Sequence, residues 1–316
     1  MTPSSDFQLM AAPLQGFTEA PFRHFHSEIY GMEECPLTYF TPFIRWERGE
    51  VRNRDLRDAT SELNSNHQLI PQIIFKDINE FLRLVDAVRN TGHKRVNLNM
   101  GCPFVPQVRK GRGAGLLVKP DIIAEIGRHI MSMTDMEFSI KMRLGVERPT
   151  DWRDIIEIIN EINLSHLTIH PRTASQQYAG ELHADEFNRL IDRSANPVIF
   201  NGDIYSPSQI NELRQRYPGL HGIMIGRGLL MRPSIIAEWQ QGQEWTRAER
   251  ATRLLKLHDE IFNHYNMTLT GGETQILSKI KPLWEYFGSE FDRKSVKRIG
   301  KANTISSYRM AVMQLS

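Results

Sequence analysis

Short apolar runs recur along most of this 316-residue chain, and most are followed by a segment with helical periodicity. Such alternation is typical of parallel β-strands joined by crossover helices. The sequence predicts eight strands, at residues 7–12, 37–41, 69–75, 95–100, 137–143, 166–170, 197–201 and 222–225. This pattern predicts an α/β fold, the (β/α)8 TIM barrel, with an open doubly wound sheet as the alternative.

The alternation stops after Met231, and the remaining sequence has only helical periodicity. It predicts helices at residues 245–266, 275–287 and 292–314. The polar run Gln-Gly-Gln-Glu at 241–244 interrupts the pattern, so we place a domain boundary near residue 242. We expect a barrel domain at residues 1–242 and a smaller all-helical domain at residues 243–316.

Charge and cysteine content limit the class of protein. The 39 basic and 37 acidic residues leave a formal charge of +2, which neither requires nor excludes a polyanionic partner. Cys35 and Cys102 lie far apart and match no metal-ligand spacing or disulfide framework. The first residues lack the layout of a signal peptide, and no apolar run approaches a membrane span. We therefore expect a cytoplasmic protein without a membrane segment or a bound metal.

Several predicted strands alternate apolar with polar residues, although strands of a parallel barrel are usually apolar throughout. Lys141 and Arg143, for example, are two positions apart and share one face of their strand. Each polar residue alone also fits a satisfied core position. Burying charged side chains without partners costs on the order of several kcal/mol, so their joint occurrence favours a ligand with hydrogen-bond acceptors. The residues expected to converge at the barrel mouth are Gln72, Asn99, Lys141, Arg143 and His170.

The last two predicted strands end in glycine-containing turns, Asn-Gly-Asp at 201–203 and Gly-Arg-Gly at 226–228. TIM barrels commonly bind phosphate at these positions. Glycine lets backbone N–H groups approach a phosphate closely, and Arg227 adds charge and a forked donor. A phosphate here, with the polar residues of the other strands reaching a planar heterocycle, describes a site for FMN. Lys141 would then stabilise the negative charge of a reduced flavin.

The most specific motif is Asn99-Met-Gly-Cys-Pro103, which ends the fourth predicted strand. A lone cysteine where an apolar strand breaks into glycine and proline lies at the strand tip, where barrel enzymes carry their active residues. Together with motifs spread over nearly the whole chain, it resembles the tRNA-dihydrouridine synthase family. The other motifs are at residues 12–16, 141–143, 169–173, 172–178, 201–203, 224–228 and 280–287.

The resemblance implies an activity and a set of site residues. Reduced FMN would pass a hydride to C6 of a uracil flipped out of tRNA, Cys102 would donate a proton to C5, and NADPH would reduce the flavin again. A thiol suits this role, because its ordinary pKa of about 8.5 keeps it protonated at neutral pH. The residues implied to hold the uracil are Asn99, Arg143 and Tyr178. Those implied to contact the flavin are Pro13, Leu14, Gln15, Gln72, Lys141, His170, Asn201, Gly202, Asp203, Gly226 and Arg227.

Contact with RNA phosphates requires clustered basic side chains. One candidate cluster is the stretch 109–112, Arg-Lys-Gly-Arg, just beyond the cysteine turn. Residues 45–58 mix both charges and predict a charged loop or helix rather than a binding stripe. The candidates for stacking on the flipped base are Phe43, Trp46 and Tyr178. The second basic cluster is in the C-terminal part, at Arg293, Lys294, Lys297, Arg298 and Lys301.

Other functions fit some of the same motifs. A flavin barrel reducing a small diffusible substrate, such as a dihydroorotate dehydrogenase-like protein or an ene-reductase, would share the phosphate turns without needing a basic tail. Ribosomal RNA is an alternative substrate. A relative that binds RNA but has lost the flavin would keep the fold, although intact Cys102 and Lys141 argue against it. The sequence predicts neither which uridine is modified nor the oligomeric state.

Overall fold

The computed structural model describes residues 7–31 and 36–315, so Cys35 lies outside the described part of the chain. The described strands form one 11-stranded sheet. They are β1 Gln8–Ala11, β2 Thr38–Phe40, β3 Ile44–Glu47, β4 Glu50–Val51, β5 Gln68–Ile70, β6 Gln72–Ile74, β7 Arg95–Met100, β8 Glu137–Gly145, β9 His166–Thr173, β10 Val198–Phe200 and β11 Gly222–Ile225. Strands β7 and β11 have the bounds that the sequence predicts.

One residue, Pro71, closes the sheet into a barrel. It alone separates β5 from β6, and β5 pairs with β2 while β6 pairs with β7. Proline has no N–H to donate, but its carbonyl oxygen accepts a hydrogen bond from the backbone nitrogen of Asn97 at 2.9 Å. Since β5 and β6 act as one strand, the two ends of the sheet meet. The predicted (β/α)8 barrel is therefore confirmed, and the open sheet is wrong.

Residues 44–59 contain a hairpin that the sequence pattern did not predict. Strands β3 and β4 pair antiparallel, and β3 also pairs in parallel with β6 of the barrel. Arg48 and Gly49 form the two-residue turn, and both have positive φ angles, as tight hairpin turns of this kind require. A short helix, α2, follows at Asn53–Ala59. The predicted charged loop or helix is thus only partly right.

Helices surround the barrel and continue beyond it. Several begin where the sequence offers a cap: Asp77 Oδ1, for example, accepts a hydrogen bond from the backbone nitrogen of Glu80 at 2.9 Å. The helices around the barrel are α1 Ala20–Tyr30, α2 Asn53–Ala59, α3 Ile78–Arg89, α4 Val105–Arg109, α5 Pro120–Ser132, α6 Ile156–Asn160, α7 Ala184–Arg193, α8 Pro207–Arg216, α9 Arg227–Met231 and α10 Ile235–Gln241. Of the described helices, none is long and apolar enough to cross a membrane.

The C-terminal part is helical, as the sequence predicts, with more interruptions. The helix predicted at 292–314 is two helices, because Thr304 interrupts it. The Oγ1 atom of Thr304 accepts a hydrogen bond from Ser307 N at 3.2 Å and caps a new helix. The C-terminal helices are α11 Arg247–Thr268, α12 Gly272–Ile280, α13 Trp284–Phe287, α14 Arg293–Lys301 and α15 Ile305–Met313.

Separate apolar cores hold these parts together. The main core lies between the barrel strands and their helices, and a small cluster that includes Met10, Ile199 and Met224 fills the barrel interior. A further core joins the C-terminal helices to the barrel, because Phe22 of α1 and Ala237 of α10 belong to it. The boundary near residue 242 remains a prediction, and this core extends across it.

Candidate functional site

The carboxyl ends of the barrel strands surround a cavity with about 930 Å³ of empty volume, partly open to solvent. All the residues predicted to contact flavin or uracil line this cavity, and so does Cys102. They are Pro13, Leu14, Gln15, Gln72, Asn99, Lys141, Arg143, His170, Tyr178, Asn201, Gly202, Asp203, Gly226 and Arg227. The structure therefore brings the predicted set together, while the role of each residue remains a prediction.

A chain of polar side chains runs from the cavity into the barrel. Asn99 Nδ2 donates a hydrogen bond to Gln72 Oε1 at 2.8 Å, and Gln72 Nε2 donates one to Asn97 Oδ1 at 2.7 Å. Asn97 in turn donates to Ser139 Oγ at 2.8 Å. The amide oxygen and the amide nitrogen of both Gln72 and Asn99 make hydrogen bonds to other protein groups. These two side chains are therefore held in defined orientations before any ligand binds.

Asn99 also holds the turn that carries the thiol. Its Oδ1 atom accepts hydrogen bonds from the backbone nitrogens of Gly101 at 3.1 Å and Cys102 at 2.9 Å. On the other side, Gly113 has a φ of +56°, and a Cβ atom there would lie 2.8 Å from Cys102 Cβ. Burial raises the pKa of the Cys102 thiol, so it is protonated at neutral pH. A protonated thiol on a fixed turn can act as a general acid.

The amino group of Lys141 faces the cavity, and none of the described residues pairs with it. Within the described residues, its Nζ atom takes part in none of the hydrogen bonds or ion pairs, although the side chain lines the cavity. Burial, with the nearby charge of Arg143, lowers the pKa of Lys141 to about 7. An anionic or electron-rich ligand would restore the charged form, so the site is suited to such a ligand.

Arg143, two residues along the same strand, is fixed by backbone carbonyl groups. Its Nε and Nη1 atoms donate hydrogen bonds to Gly101 O at 3.0 Å and Thr173 O at 2.7 Å. Its guanidinium carbon lies 5.4 Å from the ring centre of Tyr178, and that of Arg227 lies 4.7 Å from the same ring. Two arginine side chains therefore contact the ring of Tyr178, while about half of the residue is exposed. It is well placed to contact a planar group entering the cavity.

Glycines lie in the turns after β10 and β11, and the backbone of one of them, Gly226, is open. A Cβ atom at Gly226 would have only Ala12 Cβ within 4 Å, at 3.4 Å, so its backbone is approachable from the cavity. Gly202 is closer to its neighbours, since a Cβ atom there would lie 3.1 Å from His170 Cδ2. Between the two turns, Arg227 Nη2 donates a hydrogen bond to Asp203 Oδ1 at 2.9 Å. This arrangement of open backbone and a positioned arginine suits a phosphate group.

Arg172 is a site residue that the sequence interpretation missed. It is buried at the end of β9, pairs with Asp203 and places Nη1 3.3 Å from His170 Nε2. The available signal was its spacing, because residues two apart on a strand share a face and His170 was already a candidate. Its carboxylate partner is remote in sequence, so the pairing itself was not predictable.

The basic residues predicted to contact RNA differ in their exposure to solvent. Arg112 is buried and donates a hydrogen bond to Glu80 Oε2 at 2.9 Å, so its predicted phosphate contact is wrong. Arg109 and Lys110 are exposed. The basic residues predicted to line the tail are all exposed on or at the end of α14: Arg293, Lys294, Lys297, Arg298 and Lys301. Of the three stacking candidates, Phe43 and Tyr178 line the cavity, and Trp46 does not.

The sequence profile of the family described as dihydrouridine synthase (Dus) matches residues 10–308. The chain belongs to the dihydrouridine synthase family. It is 30% identical over 261 residues to a probable tRNA-dihydrouridine synthase of Staphylococcus aureus (strain Mu50 / ATCC 700699), covering 80% of this chain and 77% of that one. It is 29% identical over 238 residues to tRNA-dihydrouridine synthase B of Escherichia coli (strain K12), covering 74% and 71%.

Solved structures share the fold of this dihydrouridine synthase family member. Histamine dehydrogenase from Rhizobium sp. 4-9 superposes with a TM-score of 0.52 at 11% identity, covering 75% of this chain and 46% of that one. TcOYE, solved with pHBA, gives a TM-score of 0.51 at 9% identity, covering 78% and 92%. At these identities the likeness concerns the barrel alone.

Proposed function

We propose that this protein reduces uridine in tRNA to 5,6-dihydrouridine, with FMN as its cofactor and NADPH as its reductant, in the cytoplasm. Membership of the dihydrouridine synthase family and the names of the Staphylococcus aureus and Escherichia coli relatives support this activity. One observation carries the chemistry. The protonated thiol of Cys102 shares a cavity with the amino group of Lys141, which has no hydrogen-bond or ion-pair partner in the described part of the chain.

The cavity residues fit a flavin mononucleotide. At one side, Lys141 offers an amino group that pairs with none of the described residues, and Gln72 offers an oriented amide; both suit the carbonyl and imide groups of an isoalloxazine ring. At the other, Arg227 and the open backbone of Gly226 suit the phosphate. The residues that would hold the cofactor are Pro13, Leu14, Gln15, Gln72, Lys141, His170, Asn201, Gly202, Asp203, Gly226 and Arg227.

The reaction adds one hydride and one proton across the C5–C6 double bond of uracil. FMN, when bound, would supply the hydride to C6. Cys102 Sγ gives up its proton to C5, and the thiolate then takes a proton from solvent. The charges of Arg143 and Lys141 stabilise that thiolate while it exists. Because the Asn99 side chain fixes the backbone of the cysteine turn, the thiol needs little reorientation during the transfer.

The uracil lies among Asn99, Arg143 and Tyr178 in this proposal. Arg143 is held by two carbonyl oxygens, so its remaining N–H groups have a defined direction toward the substrate. Tyr178 is exposed enough to stack on a flipped base, and base–aromatic stacking is worth roughly 1–3 kcal/mol. That stacking offsets part of the cost of removing the base from its helix. The exposed basic residues of α14 bind phosphates elsewhere on the tRNA.

The test compares the wild type with Cys102→Ala and with Cys35→Ala, which removes the chain's other cysteine. Each protein is incubated with FMN, NADPH and an unmodified tRNA transcript, and dihydrouridine is detected by mass spectrometry of the digested RNA. We expect Cys102→Ala to bind FMN normally and to lose most product, whereas Cys35→Ala remains active. Loss of flavin in Cys102→Ala would instead assign the thiol to cofactor binding.

The same assay separates the alternatives. Dihydroorotate, an activated alkene and a ribosomal RNA fragment are offered in parallel with the tRNA transcript. Turnover of a small substrate without any reduction of tRNA would overturn the proposed function, and so would a purified protein that does not bind FMN. If only the ribosomal fragment is reduced, the proposed reaction is right and its substrate is ribosomal RNA instead of tRNA.

A further inference from the structure

Arg172 uses every N–H donor of its guanidinium group within the protein. A guanidinium has five N–H groups, one on Nε and two on each terminal nitrogen. Nε and Nη2 donate to Gly180 O at 3.1 and 2.7 Å, and Nη2 also donates to Asp203 Oδ2. Nη1 donates to Asp203 Oδ1 at 3.1 Å, and its other N–H points to His170 Nε2 at 3.3 Å. The side chain is 4% exposed, so water does not compete for these donors.

The contact with His170 determines where the imidazole carries its proton. An arginine in a protein is always protonated and has no acceptor, so the Nε2 atom of His170 must accept the hydrogen bond. A neutral imidazole that accepts at one nitrogen carries its hydrogen on the other. The ring is neutral, because burial and the charges of Arg143 and Lys141 hold the pKa of His170 well below its ordinary value. His170 is therefore the tautomer with hydrogen on Nδ1.

We infer that Arg172 is a positioning residue that fixes His170 as the neutral Nδ1–H tautomer and makes Nδ1–H a donor for a ligand in the cavity. Within the described residues, the Nδ1–H group has no protein acceptor, and His170 lines the cavity. The complementary ligand group is an oxygen or an unprotonated ring nitrogen. That this group belongs to a flavin rests on the proposed function, whereas the tautomer itself does not.

Arg172 also connects three strand ends around the cavity. Asp203, after β10, accepts hydrogen bonds from Arg172 and from Arg227, after β11. Gly180 lies in the loop after β9 that carries Tyr178, and its carbonyl oxygen accepts from Arg172. A lysine has three donors on one nitrogen and cannot span Gly180, Asp203 and His170 together. The forked shape of arginine is thus needed, and its charge alone does not suffice.

The decisive measurement is the tautomer of His170 in flavin-free protein, read from ¹⁵N–¹H correlation spectra of protein labelled with ¹⁵N-histidine. The signals of His170 are assigned by their disappearance in His170→Gln. In the wild type we expect Nδ1 to be protonated and Nε2 to be unprotonated, with no positively charged form at neutral pH. Hydrogen on Nε2, or a charged ring, would overturn the inference without any variant of Arg172.

Two variants test the role of Arg172 itself. In Arg172→Lys and Arg172→Gln we expect the Nε2–H tautomer to become populated and the affinity for FMN to fall about tenfold, as loss of a charged hydrogen bond predicts. Arg232→Lys is the control, because Arg232 donates to Glu238 Oε1 at 2.9 Å in another largely buried pair that does not line the cavity. Unchanged His170 signals in a folded Arg172→Lys variant would contradict the positioning role.

The outcomes separate this inference from the proposed function. If His170 has the predicted tautomer and no tRNA is reduced, the function is wrong and the inference stands. If tRNA is reduced while His170 carries its hydrogen on Nε2, the function stands and the role of Arg172 is wrong. Because the spectra are recorded without flavin, neither result depends on cofactor loading.

Discussion

The Oδ1 atom of Asn99 lies 2.9 Å from the backbone nitrogen of Cys102, so one side chain fixes the turn that presents the thiol to the cavity. The same oxygen accepts from Gly101 N, and the amide nitrogen donates to Gln72. Strand β7 thus supplies the cysteine turn and its support from a single stretch of sequence. The position of the thiol depends on this asparagine and on close packing against Gly113.

Asn99→Ala should loosen the cysteine turn. It removes the acceptor of two backbone N–H groups and the donor to Gln72, and each buried group left unpaired costs about 1–3 kcal/mol. We expect a lower free energy of unfolding and several-fold faster alkylation of Cys102 at neutral pH, since a more exposed thiol ionises more readily. Alkylation is measured in a Cys35→Ala background, so that only one thiol reacts. An unchanged alkylation rate would show that other contacts hold the turn.

Gly113→Ala should disturb Cys102 by contact as well as by strain. Gly113 has a φ of +56°, and a Cβ atom there would lie 2.8 Å from both Cys102 Cβ and Cys102 O. Gly92→Ala is the matched control, because Gly92 has a φ of +88° with nothing within 4 Å of a Cβ atom. We expect Gly92→Ala to lower the free energy of unfolding by about 1 kcal/mol through backbone strain alone. Gly113→Ala should lower the free energy of unfolding, measured in urea, by more than this and should also lower the rate of dihydrouridine formation. Equal losses of stability in the two variants would show that the contact with Cys102 contributes nothing.

Lys141 should make the stability of the flavin-free protein depend on pH. Its pKa is about 7 in the folded chain and 10.5 in the unfolded chain, so the folded state binds fewer protons between these values. Stability therefore rises with pH across this window, and the cost of burying the charge is fully present below pH 7. We expect Lys141→Met to be more stable than the wild type near neutral pH, with the difference shrinking toward pH 10.5. Urea unfolding at several pH values tests this.

A bound anionic ligand should turn the destabilising effect of Lys141 into a stabilising one. If FMN or inorganic phosphate occupies the cavity near Nζ, it favours the charged form and raises the pKa of the lysine. The wild type should then gain more stability from saturating FMN than Lys141→Met does, because only the lysine strengthens the complex. Equal stabilisation of both proteins by FMN would place the ligand away from Lys141.

Neutralising α14 should weaken tRNA binding and leave flavin binding unchanged. Lys294, Lys297 and Lys301 are exposed, and their combined change to Gln removes three charges without altering the core. We expect the slope of log K against log salt concentration to fall by about one for each lysine that contacts a phosphate. The control changes Lys94 and Arg128 to Gln, since Lys94 precedes β7 at the barrel end opposite the cavity. An equal loss of affinity per charge removed in the two variants would show that binding depends on net charge alone.

The sequence alone predicted most barrel strands, the helical C-terminal part and many residues of the cavity. Strands β7 and β11 were predicted with their observed bounds because their periodicity and flanking residues are local signals. Five of the cavity residues, Gln72, Asn99, Lys141, Arg143 and His170, were predictable for a related reason. In a parallel barrel the carboxyl ends of all strands meet at one edge, so polar residues at strand ends converge even when far apart in sequence.

The tertiary structure decided which of these charges are available and which are used within the protein. Arg112 and Lys110 look alike in sequence, but of the two only Arg112 pairs with a buried carboxylate, that of Glu80 in α3. Arg172 likewise became a site residue through Asp203 and His170. Such pairings depend on the three-dimensional arrangement of the strands and helices. Local periodicity indicates which face of a strand or helix a residue occupies. The hydrogen-bond partner that it meets on that face depends on how the strands and helices pack together.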